Sequence, residues 1–125
     1  MGPRAGAGFH RAKRLADKAV FGALLRSRDR TQSGPLMLQM LPGGTQIGRL
    51  GMAVAKRHAK RAVERNLLKR LLRESFRQHG LSHQPVDMVV SLRTAWPGGT
   101  SSSARRNLRQ HIKQILDQAE RKGMR

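Results

Sequence analysis

Arg65, Lys69, Arg73 and Arg77 recur at every fourth position, with Asn66 and Arg70 beside them. On a helix that spacing stacks the cations along one side. Val63, Leu67, Leu68, Leu71, Leu72 and Ser75 fall on the opposite arc, so one face is expected to enter a core while the other presents a strip of positive charge. The chemistry of such a strip is anion binding. Like charges at i+4 repel by a few tenths of a kcal/mol per pair, and only Glu64 and Glu74 stand nearby to offset them. A polyanion would remove that cost. The plainer alternative is a solvated helix whose charges keep the protein soluble.

Groups for bond cleavage are scarce. A nuclease working through two metal ions needs carboxylates clustered around ions about 4 Å apart. Asp17, Asp29, Glu64, Glu74, Asp87, Asp117 and Glu120 are the only acidic residues, and they are scattered over different expected elements. Glu64 and Glu74 share a helix but stand about three turns apart, too far to share an ion. Among His10, His58, His79, His83 and His111, only His79 and His83 are close in sequence. With no carboxylate or cysteine beside them, they are expected to be a surface pair at a helix end. No catalytic residue and no metal ligand set is expected in the protein itself.

The elements that must position the strip can be read in order. Residues 1–13 form a basic, Gly-rich segment, 14–121 a single domain and 122–125 a tail. Val20, Phe21, Leu24 and Leu25 mark a short amphipathic helix from about Asp17, a candidate N-cap, to about Arg28. Phe21 fits equally a plain core aromatic or a functional one. Arg28 to Pro35 reads as a turn, Leu36 to Leu41 as a strand, and Pro42 to Thr45 as the next turn. Arg49 to Ala55 is a second strand, with Leu50, Met52 and Val54 on one face and Gly51, Ala53 and Ala55 on the other. A face that small admits either a packed helix or an extended ligand.

The basic helix is expected from about Ala59 to Gln78, with Gly80 as its C-terminal cap. Val86 to Leu92 is a third strand. Ser101 to Ser103 offer N-caps for a last helix that buries Leu108, Ile112, Ile115, Leu116 and Ala119 and leaves Arg105, Arg106, Arg109 and Lys113 wet. This order gives an α+β sandwich, helices packed on one small mixed sheet.

The chain has 125 residues, with 26 Lys and Arg against 7 Asp and Glu, a formal net charge of +19. That imbalance favours phosphate backbones as partners. There is no cysteine for a disulfide or thiolate site, no apolar run of about 18 residues to span a membrane, and no secretory h-region near Met1. A cytoplasmic location is the expectation.

The run Arg65-Asn66-Leu67-Leu68-Lys69-Arg70-Leu71-Leu72-Arg73, preceded by Gly51 to Arg57, resembles the R-N-x-x-K-R-x-x-R pattern of the bacterial ribonuclease P protein subunit. Length, element order and the segment from Arg14 to Phe21 extend the likeness over most of the chain. The resemblance implies a sheet of about four strands packed with three helices, a sandwich of ribosomal-protein type with a left-handed βαβ crossover through the basic helix. It also implies a role. In that family the RNA subunit carries out magnesium-dependent removal of the 5′ leader from precursor tRNA, and the protein assists.

On that reading Lys56, Arg57, Lys60, Arg61, Arg65, Asn66, Lys69, Arg70, Arg73 and Arg77 would dock on the catalytic RNA. Asn66 could make a specific contact or stabilise the backbone. A cleft between the first helix and the sheet would hold the leader, with Phe21, Leu25 and Gln39 at the matching positions. Magnesium would be held mainly by RNA, and no obligate protein partner is implied. Leu25 and Gln39 stand where the family often has aromatics, and Leu67 where it often has a basic residue. With three Phe, one Trp and no Tyr in the chain, leader binding is expected to lean on shape, backbone polar groups and charge more than on stacking. A ribosomal protein of similar composition is the main rival, but it has no reason to carry the spaced motif. A DNA-bending protein would want an intercalating wedge or a dimeric recognition helix.

Overall fold

Period-two alternation gives the central strands two different faces. The computed structural model describes residues 18–43, 47–96 and 99–123. These run α1 (Lys18–Leu25), β1 (Arg30–Ser33), β2 (Leu36–Pro42), β3 (Arg49–Ala53), α2 (Ala62–Arg77), a 3-10 turn (Gly80–His83), β4 (Val86–Leu92) and α3 (Ser102–Gly123). One four-stranded sheet results, in the order β1-β2-β4-β3. β4 pairs antiparallel with β2 and parallel with β3, so the chain from β3 to β4, which carries α2, crosses over the sheet.

Leu36, Leu38 and Met40 of β2, Leu50 of β3, and Met88, Val90 and Leu92 of β4 share one side. Against them pack Leu68, Leu71, Leu72 and Phe76 of α2 and Leu108, Ile112, Ile115, Leu116 and Ala119 of α3. Each fully buried Leu or Phe contributes about 1.5–3 kcal/mol relative to an exposed one, so this layer holds the basic helix in place. The stripe expected for the last helix is the one observed.

The other face carries less. Leu24 and Val89 form a small cluster with Val20, Phe21, Leu41 and Ala53. The end of α1 is fastened by polar groups: the Gln39 amide, 1% exposed, donates to the carbonyls of Leu25 (2.9 Å) and Ser27 (3.1 Å). Those carbonyls would otherwise lack helical partners. Beside them Arg49 grips buried Asp87 through two bonds of 2.8 Å, joining β3 to β4 where the two residues are in register.

Several expectations need correction. Arg30–Ser33, read as part of a turn, is an edge strand paired with β2; four polar residues with only Thr31 buried give no apolar signal. α2 starts at Ala62, because Lys56 to His58 form a turn that precedes it. Its cap is Gln78, and Gly80 opens the 3-10 turn without a left-handed φ. His79 caps that turn, its Nδ1 accepting from the Leu81 N–H at 3.1 Å. On α2, Phe76 rather than Ser75 completes the buried arc, and Val63 is 47% exposed. α3 continues to Gly123, and Lys122, assigned to a tail, bonds Asp29 (3.0 Å) and the Arg30 carbonyl (2.7 Å). The basic segment 1–13, the Asp17 cap and Gly44 and Thr45 of the turn lie outside the described residues.

Candidate nucleic-acid interface

The position of each cation on α2 follows from which arc enters the core. With Leu67, Leu68, Leu71, Leu72 and Phe76 buried, the outermost row is Asn66, Arg70 and Glu74, while Arg65, Lys69, Arg73 and Arg77 lie half-buried along its flank. The ladder is thus a shoulder of the helix. Arg65 also works within the fold: its Nη1 donates to the Ala59 carbonyl (2.8 Å) and to that of Lys60 (2.9 Å), shaping the turn that enters α2. The Glu64 carboxylate accepts the Arg61 N–H at 3.3 Å, a stabilising anion in the first turn.

Lys56, Arg57, Lys60 and Arg61 precede the helix, with all four side chains exposed. They connect the strip to a groove of about 400 Å³ on the other face of the sheet. Leu25 from the end of α1, Ala53 and Ala55 on and after β3, and Ser91 of β4 line it, and Arg57 and Arg93 stand at it as cations. Leu25 is 42% exposed there. The Ser91 Oγ is buried and has no hydrogen-bond partner, a costly arrangement for a hydroxyl. The small face of β3 serves in both of the ways its residues allow: Ala53 touches the α1 cluster, and Ala55 borders open groove.

The three residues expected at a leader cleft therefore have different settings, although Gln39 bonds the Leu25 carbonyl. Leu25 lines the groove, Phe21 packs half-buried in the small cluster, and Gln39 lies under the end of α1 with its amide engaged. Ser91, Arg93 and His58 join the groove, and no motif in the sequence marks them. Ser91 sits in an apolar run, where period two assigns it to the α1 face, and that is the one signal the sequence holds.

His79 is not a free surface residue. Its Nε2 lies 2.8 Å from Asp117 Oδ1 and 3.9 Å from Glu120 Oε1, and Lys113 bonds the second Asp117 oxygen at 3.0 Å. The hydrogen bond from His79, then that from Lys113, holds the Asp117 carboxyl below its ordinary value. The carboxylates come from α3, far off in sequence, so spacing alone leaves the histidines unaccompanied. As a magnesium site this trio fits poorly. Nδ1 accepts a backbone N–H, leaving the ring proton on Nε2, pointed at Asp117, and magnesium prefers oxygen ligands in near-octahedral order. It suits an internal hydrogen bond that ties the end of α2 to α3.

The family model described as Ribonuclease P matches residues 9–118. The chain belongs to that family. The ribonuclease P protein component of Thioalkalivibrio sulfidiphilus is 35% identical over 81% of this chain and 84% of its own length, and that of Paraburkholderia xenovorans 32% identical over 94% and 88%. A mutant RNase P protein of Staphylococcus aureus superposes with a TM-score of 0.73 at 25% identity, covering 87% of this chain and 89% of its own. The RNase P protein of Thermotoga maritima shares the fold at 22% identity, with a TM-score of 0.64 over 84% and 96% of the two chains. Membership of the ribonuclease P family makes RNA the partner and the chain an accessory of an endoribonuclease. No described helix is long and apolar enough to cross a membrane.

Proposed function

We propose that this chain is the protein subunit of ribonuclease P, holding two RNAs side by side. The α2 shoulder and the turn before it meet the catalytic RNA. The groove between α1 and β3/β4 takes the single-stranded 5′ leader of precursor tRNA. What carries this reading is the path from Lys56 to Arg61, which runs directly from the groove to the helix, so one cationic ridge borders both surfaces. Positive charge there offsets repulsion between the two RNAs, and counterion release adds affinity. In the groove Leu25 and the alanines accept apolar contact, and Arg57 and Arg93 offer cations to the leader phosphates. Hydrolysis belongs to the RNA, with magnesium held there and by the substrate, and no protein partner is needed.

The test is cleavage of a 5′-extended precursor tRNA at low magnesium by protein alone, by a bacterial ribonuclease P RNA alone, and by both. Activity confined to the mixture is expected, with a larger gain for a long leader than for a very short one. Cleavage by protein alone would mean an active site in the chain, and no rescue would favour a ribosomal role.

A further inference from the structure

Two large hydrophobic side chains are exposed among the described residues, Leu25 and Val63. Leu25 borders the groove assigned to the leader. Val63 borders another, of about 320 Å³, on the opposite layer between α2 and the start of α3. Its wall is Val63 with Leu67, and three guanidinium groups stand around it: Arg70 and Arg73 from α2 and Arg105 from the first turn of α3. Thr100 closes the end, just before Ser101 caps α3 by accepting the Ala104 N–H at 3.2 Å. Among the described residues, no carboxylate lines it.

Resting on the RNA-binding reading above, we propose that this groove receives one unpaired nucleotide of the catalytic RNA. The base lies against Val63 and Leu67, and the flanking phosphates meet Arg70, Arg73 and Arg105. Three features select that ligand. An apolar wall ringed by cations matches an apolar base face joined to anionic phosphates, whereas a duplex offers its phosphates without a free base face. Guanidinium groups both pair with phosphate and stack on bases, which ammonium groups do less well. A volume at the small end of ligand pockets suits one nucleotide and not a helix. The RNA surface is then a cleft between two helices, and Arg105, which no motif on α2 announces, is part of it.

Binding of the full chain to a bacterial ribonuclease P RNA, measured over a range of salt concentrations, tests this. Val63→Ala should weaken binding about fivefold with the salt slope unchanged, because an apolar contact releases no counterion. Arg105→Ala should weaken binding and lower the slope by about 0.7. Arg109→Ala, exposed on the same helix outside the groove, removes an equal charge and serves as the reference. A photo-crosslinker at Thr100 should label a nucleotide that is unpaired in the RNA. If the wild type binds but Val63→Ala matches it and Arg105→Ala matches Arg109→Ala, or if crosslinks fall in paired regions, the groove assignment is wrong and the subunit reading stands. If the wild type itself fails to bind, both fall.

Discussion

Gln39 shows how one polar residue can matter more for holding a site than for touching a ligand. Its amide bonds the Leu25 carbonyl and shares that of Ser27 with the Arg30 guanidinium, under a helix of eight residues. Leu25 reaches the groove because that helix ends where Gln39 fixes it. Gln39→Leu keeps the bulk but removes the donor to the Leu25 carbonyl, while the Ser27 carbonyl keeps its bond from Arg30, so it should cost about 1 kcal/mol in urea unfolding. It should also weaken leader binding while leaving affinity for the catalytic RNA unchanged. A loss of RNA affinity equal to the loss of leader binding would disprove this division of labour.

At the scale of elements, the joint between the end of α2 and the middle of α3 is electrostatic. His79 and Lys113 hold Asp117 below its ordinary value of 3.8. The folded protein therefore takes up that proton at lower pH than the unfolded chain does. Its contribution is present above 3.8 and fades as pH falls through the lowered value. Asp117→Asn should be less stable than wild type near neutrality, and the gap should narrow in melting curves taken below about pH 4; a gap that stays constant into strong acid would refute the role. Such a joint could not be read from the sequence, since His79 and Asp117 are 38 positions apart. The same limit hid β1, visible only through its pairing with β2, and Arg105, brought to Arg70 only by the packing of α3. What could be read was local: the apolar runs of β2 and β4, the buried stripe of α3, and the four-residue spacing on α2. Even there, the strip's half-buried setting depended on Phe76, whose place in the core is decided by the sheet beneath.

For the molecule as a whole, the layers divide the work. One side of the sheet carries the heavy core and the α2 and α3 surfaces, and the other a light helix and an open groove. A net charge of +19 draws any RNA, so selectivity has to come from where the cations stand. Replacing Arg70 and Arg77 together by Ala should flatten the salt dependence of RNA binding by somewhat less than one log unit for each phosphate left without its arginine. An unchanged slope would show that the strip meets no phosphate. Stability should barely shift, since Arg70 is exposed and Arg77 lies at the end of α2.

The strand order has a consequence for synthesis. β2 and β3 never pair with each other; both wait for β4, which is made last of the four. A chain leaving the ribosome residue by residue can close the β1–β2 hairpin early, but β3 has no strand to join and α2 no finished sheet to lie on until Val86–Leu92 emerges. The arginines are displayed before the scaffold that aims them exists, and the arrival of one strand commits both halves of the sheet together.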